Sequence, residues 1–159
     1  MVFSRVLSIG QAYQAIEWKV VFLLAGLIPL GIAMQKTGAA MFLAESIMKL
    51  VIDLHPVFVL IMVGLLSTIF SLFMSNVGAI VVLAPLVMGM AGIAGLDPRP
   101  LVLMAAVCTG NSFILPTHQV NAFLMSSGGY RNADYLKAGS GMTVVFLVLA
   151  VALFYFILF

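Results

Sequence analysis

From Leu54 to Leu96 the chain runs for about 43 residues without a single Asp, Glu, Lys or Arg. A hydrocarbon core about 30 Å thick is crossed by about 20 helical residues. The run is therefore too long for one crossing and about right for two helical arms of ~18 residues each. Ser75, Asn76, Val77 and Gly78 fall at its midpoint, where no charge or proline-rich turn marks a loop in water. The pattern predicts a helical hairpin, with arms from Val57 to Met74 and from Gly78 to Gly92, whose tip is buried within a membrane.

At such a tip the first arm ends with unpaired carbonyls and the second begins with unpaired N–H groups. In lipid each unpaired group costs several kcal/mol unless it meets protein, water or a ligand. The tip thus offers carbonyl oxygens to a cation and N–H donors to an anion, side by side. Ser71 lies one helical turn before Ser75 and projects a second hydroxyl to the same side. The same residues also suit a plain structural role, with Ser75 and Asn76 capping a tight turn between two helices.

Composition agrees with a membrane protein. Charged residues make up 8% of the chain and hydrophobic ones 64%, against about 25% charged in a soluble domain. A net charge of +2 is too small to suggest a nucleic-acid partner. The one cysteine, Cys108, cannot form an internal disulfide and reads as an apolar packing residue. No nucleophile elbow, phosphate loop or metal-spaced His/Cys cluster is visible, so no enzyme and no catalytic residue is expected.

The fold class expected is an all-α membrane protein, a single membrane domain over 1–159. About three spanning helices, one of them broken, accompany the re-entrant hairpin and an amphipathic interfacial helix. Residues 1–17 are mixed, and Trp18 suits an anchor at headgroup level. Val20 to Gln35 is the first spanning candidate, with Gly26, Pro29 and Gly31 implying a kinked or closely packed helix. Thr37 to Asp53 reads as the amphipathic helix: Glu45, Ser46, Lys49 and Asp53 mark its polar side, and Met41, Leu43, Ile47, Leu50 and Leu54 occupy other positions. Residues 18–54 thus form one unit and 57–96 the hairpin.

The third unit, 100–159, follows the turn Asp97-Pro98-Arg99-Pro100, where Pro100 suits a helix start. Leu101 to Tyr130 is uncharged but crowded at its middle by Asn111, Ser112, Thr117, His118, Gln119 and Asn121 around Pro116. A discontinuous helix, broken near Ser112 to Pro116, explains that density better than a lipid-facing one. Two interrupted elements of one electrical design point to the binding site of a secondary transporter. Ala138 to Phe159 is the last spanning helix. The basic pair Arg131 and Lys137 puts the preceding turn on the cytoplasmic side of the cell membrane.

Three stretches carry a family resemblance. MSNVGAIVVLAPL resembles the second Ser-Asn-Thr hairpin tip of the divalent anion/sodium symporters, in the ion transporter superfamily. EWKVVFLLAGLIPLGIAMQKTGAA resembles the helix opening their second half, and SFILPTHQVNAFLMSSGGYRNADYLKAG their broken helix and the turn after it. The resemblance runs in the family's order from about Val6 onward. It implies an inverted-repeat fold with a scaffold part and a moving transport part. It further implies sodium-coupled import of dicarboxylates, citrate or sulfate by an elevator-type motion. By resemblance Ser75, Asn76 and Val77, with Pro116, Thr117 and Asn121, would hold the small anionic substrate. Ser71, Ser75, Asn76 and Ile114 would hold sodium, the coupling ion; no other cofactor is implied. Two departures bear on the substrate: Val77 and Leu115 stand where relatives carry threonine.

The family needs two halves, and this chain resembles only the C-terminal one. A complementary N-terminal half or a homo-oligomer is therefore expected, alongside membrane lipid. No Asp or Glu lies within Leu54 to Leu96 or Pro100 to Tyr130, and proton-coupled carriers commonly use an intramembrane carboxylate or histidine. Sodium held by carbonyls and hydroxyls is the better expectation. His118 is left either as a hydrogen-bonded packing residue or in a proton or ligand role. The last would suit sodium/proton exchange or arsenite export on the same fold. A non-transporting membrane accessory fragment is the remaining alternative.

Overall fold

The computed structural model describes residues 8–51, 55–115, 128 and 131–158, which form seven α-helices and no strand among the described residues. They are α1 (Ile9–Gln14), α2 (Trp18–Lys36), α3 (Ala39–Met48), α4 (Val57–Phe73), α5 (Asn76–Ala94), α6 (Pro98–Cys108) and α7 (Asn132–Leu158). Pro116, Thr117, His118, Gln119 and Asn121 lie outside the described residues, as do Asp53 and Leu54.

The hairpin forms as the uncharged run predicts. Arms of 17 and 19 residues are about 26 and 28 Å long at 1.5 Å per residue. Only Met74 and Ser75 separate them. The second arm starts at Asn76, two residues before Gly78, because Ser75 caps it. Helix α5 is the hub of the molecule: α2, α3, α4 and α6 all pack on it, while α7 packs on α4 and α6.

Between α2 and α3 the chain bends by 69°. Gly38 stands at the bend with φ +75°, a left-handed conformation that costs an L side chain energy but not glycine. On α3 the buried positions are Ala40, Ala44 and Met48, whereas Met41, Phe42 and Leu43 are exposed. The helix is amphipathic in an unexpected sense: two alanines and Met48 face inward, while Met41, Phe42 and Leu43 face outward. A β-carbon added at Gly89 of α5 would stand 3.0 Å from Ala44 Cβ. Small residues let the two backbones approach, which is how helices associate where lipid removes any hydrophobic gain from burying a large side chain.

The helix of the third unit starts at Pro98, not Pro100. Asp97 accepts from the Arg99 N–H at 3.0 Å, and Pro98 takes the first helical position, where no N–H is needed. Helix α6 has 11 residues, about 16 Å, half the thickness of a hydrocarbon core. It stops at Cys108, earlier than the break expected near Ser112 to Pro116, and residues 111–115 are not helical. The last helix starts at Asn132, six residues before Ala138, and runs for 27 residues.

Two helices, α5 and α7, are long and apolar enough to cross a membrane, and the bent pair α2–α3 makes a third if counted as one span. The apolar window of α5 is 44% buried inside the molecule and that of α7 only 17%. Helix α7 therefore turns most of its apolar surface to the surroundings, which in water would be untenable for Val144, Val145, Val148, Leu149 and Phe156.

Candidate functional site

The hairpin tip separates the roles of its two polar residues. Ser75 has extended backbone (φ −64°, ψ 148°) and its Oγ accepts from the Gly78 N–H at 3.1 Å. Its carbonyl accepts from the Ala79 N–H at 2.8 Å. The Ser75 hydroxyl is thus an N-cap, as the plain structural reading has it, though its own proton stays available to a ligand. Asn76 is different: its side-chain Oδ1 is buried and has no hydrogen-bond partner. Buried amide oxygens are almost always satisfied, so an orphan needs an explanation. Capping leaves the Asn76 and Val77 N–H groups without intrahelical partners at the positive end of the α5 dipole.

One turn earlier, Ser71 reaches the interrupted element. Its Oγ donates to the Thr68 carbonyl at 2.8 Å and to the Asn111 carbonyl at 3.3 Å. The last turn of the hairpin's first arm is therefore in direct contact with the break, 40 residues further along the chain. With its proton committed to these carbonyls, the Ser71 hydroxyl has lone pairs to offer. Asn111 is wholly buried. Its Nδ2 donates to Thr68 Oγ1 at 3.2 Å, and its Oδ1 accepts from Thr143 Oγ1 at 3.1 Å. Ile114, half-buried, lies against α7, where a β-carbon on Gly139 would stand 3.2 Å from the Ile114 α-carbon.

Of the residues singled out from sequence, Ser71, Ser75, Asn76, Val77 and Ile114 are described here. Ser71 meets the break, Ser75 and Asn76 form the tip, and Val77 is exposed beside it. Thr68 and Thr143 escaped the sequence reading, and Asn111 entered it only as one of a crowd of polar residues. A signal existed. Thr68 precedes Ser71 by three residues on one helix face, and a hydroxyl or amide in an apolar helix must find a partner.

The chemistry on offer is that of neutral oxygens and helix ends. Among the described residues no group of three or more His, Cys, Asp or Glu lies together. An amide oxygen, a hydroxyl and backbone carbonyls from a non-helical segment suit a small hard cation. The head of α5 suits an anion.

Residues 1–108 match the family described as citrate transporter. The chain is 34% identical over 146 residues to an uncharacterized transporter of Synechocystis, covering 91% of this chain and 24% of that protein. It is 27% identical to an uncharacterized transporter of Escherichia coli over 94% of this chain and 25% of that protein. It is 24% identical to solute carrier family 13 member 1 of Rattus norvegicus over 90% of this chain and 24% of that protein. The chain thus spans about a quarter of the length of these relatives. With the family match covering the hairpin tip and the whole of α6, and with apolar helices of membrane-spanning length, the chain is an integral membrane protein that belongs to the citrate transporter family.

Proposed function

We propose that the protein serves secondary active transport of a small anion such as sulfate, citrate or a dicarboxylate, with sodium as the coupling ion. The observation that carries the reading is the Asn76 Oδ1, buried at the head of α5 without a hydrogen-bond partner. A cation would supply the missing partner. Ser71, whose proton is already given to two carbonyls, is the second oxygen donor. The Ile114 carbonyl on the non-helical segment is the third. The anion takes the Asn76 and Val77 N–H groups and the Ser75 hydroxyl proton; Pro116, Thr117 and Asn121, outside the described residues, are its remaining contacts in this proposal, on the family resemblance alone.

Coupling then follows from proximity. Cation and anion share the Asn76 position, so each lowers the electrostatic cost of the other. Neither needs a charged side chain. A complementary half, or a second copy, would bring the matching tip that completes the site.

The test is uptake into proteoliposomes made with the membrane-inserted protein and its complementary half. Sodium-dependent uptake of radiolabelled sulfate or a dicarboxylate is expected, and Asn76→Leu should abolish it while the protein still inserts. Uptake indifferent to sodium, or unchanged in Asn76→Leu, would overturn the reading.

A further inference from the structure

The face of α7 that bears Gly139, Thr143 and Phe146 is built to receive residues 111–114. These positions are spaced i, i+4 and i+7, so they share one side of the helix. At Gly139 a β-carbon would overlap the Phe113 carbonyl oxygen, so only glycine lets that backbone lie this close. Thr143 Oγ1 donates to Asn111 Oδ1 at 3.1 Å. Phe146 and Phe113 meet edge to face, with ring centroids 6.0 Å apart. The other side of the same segment is held by the hairpin. Asn111 Nδ2 donates to Thr68 Oγ1, and the Asn111 carbonyl accepts from Ser71.

Asn111 is therefore a three-way joint between α4, the break and α7. Its amide spends donor and acceptor on two different helices, and its backbone N–H donates to the Cys108 carbonyl at 3.0 Å. A wholly buried amide is costly to place in an apolar interior unless it is satisfied. Here it is satisfied on both sides, and satisfied buried amides specify a single arrangement. The arrangement specified is the position of the non-helical backbone against Ser71.

We propose that Asn111 and Thr143 are positioning residues that set the ion affinity of the hairpin site from α7, a helix that supplies no ligand itself. The inference rests on the sodium reading above for the identity of the ion. The joint fixes the non-helical backbone that carries the Ile114 carbonyl, starting from the Asn111 carbonyl that accepts from Ser71. If Thr143 lets go, the Asn111 side chain can turn, the 111–114 backbone loses its register, and two of the three oxygen donors move apart. The anion donors at the head of α5 are untouched.

Two readouts test this. Cys108 is the chain's one cysteine, wholly buried three residues before Asn111. Its alkylation by N-ethylmaleimide in sodium-free membranes reports the joint without reference to any ion. Wild type should label slowly, Asn111→Ala and Thr143→Val at least tenfold faster, and Thr143→Ser at the wild-type rate. Unchanged labelling in both fast variants would overturn the joint. The second readout is the sodium concentration giving half-maximal protection against heat. It should rise about tenfold in folded Thr143→Val and return in Thr143→Ser. A merely structural role would lower the melting temperature and leave that midpoint alone, which would overturn the proposal. Wild-type protein that ignores sodium, with the variants still labelling faster, would overturn the sodium reading and leave the joint supported.

Discussion

Replacing Gly139 with alanine should destabilise the protein, while the same change two residues on, at Gly141, should stabilise it. A β-carbon at Gly139 meets the Phe113 carbonyl oxygen, stands 2.8 Å from that carbonyl's carbon and 3.2 Å from the Ile114 α-carbon. All three are backbone atoms, which cannot swing aside like the end of a flexible side chain. Either α7 or the 113–114 segment must move. Overpacking a tight site costs about 1–3 kcal/mol, and an unyielding obstacle puts this one near the upper end. Alanine regains about 1 kcal/mol of helix propensity over glycine, leaving a net loss of about 2 kcal/mol. At Gly141 nothing lies within 4 Å of the added atom. Only the propensity gain of about 1 kcal/mol remains there, so the two variants should differ by about 3 kcal/mol. Reversible unfolding by SDS in mixed micelles, followed by circular dichroism, reads both. Equal stability of the two variants, or a Gly139→Ala protein more stable than wild type, would refute the close approach of α7 to the break.

The tip residues should respond to mutation in opposite ways. Ser75→Ala should cost about 1 kcal/mol of stability with or without sodium, because it removes a cap. Asn76→Leu should leave sodium-free stability nearly intact and erase any stabilisation by sodium; thermal melts across a sodium titration separate the two. Gly89→Leu should pry α3 from α5 and cost about 1–3 kcal/mol in the same unfolding assay. The control Gly92→Ala, where an added β-carbon meets nothing within 4 Å, should not destabilise. Asp97→Ala should cost about 1 kcal/mol and speed amide exchange in the first turn of α6 by hydrogen-exchange mass spectrometry; uniform exchange along α6 would reject its capping role.

Helix boundaries near polar turns were the least legible part of the sequence. Asp97 and Ser75 each carry their helix two residues further than the apolar pattern suggested, because a cap satisfies N–H groups that the pattern cannot count. The face of α3 was also hidden. Hydropathy ranks Met41 and Leu43 above Ala40 and Ala44, yet the alanines face inward. Against lipid the choice is made by how closely two backbones can approach, not by side-chain transfer from water.

The chain's uncharged runs and their polar midpoints were enough to dictate a membrane protein with a hairpin at Ser75-Asn76 and an interruption after α6. Hydrocarbon thickness and the cost of unpaired backbone groups act on any such sequence, whatever its neighbours. Which polar groups end up satisfied was decided only by the packing. The fold spends the Ser75 oxygen on the Gly78 N–H, joins Thr68 and Thr143 through Asn111, and leaves the Asn76 oxygen alone. Those assignments depend on partners 32 and 43 residues apart in the chain, brought within hydrogen-bond reach by the docking of α4 and α7 on α6.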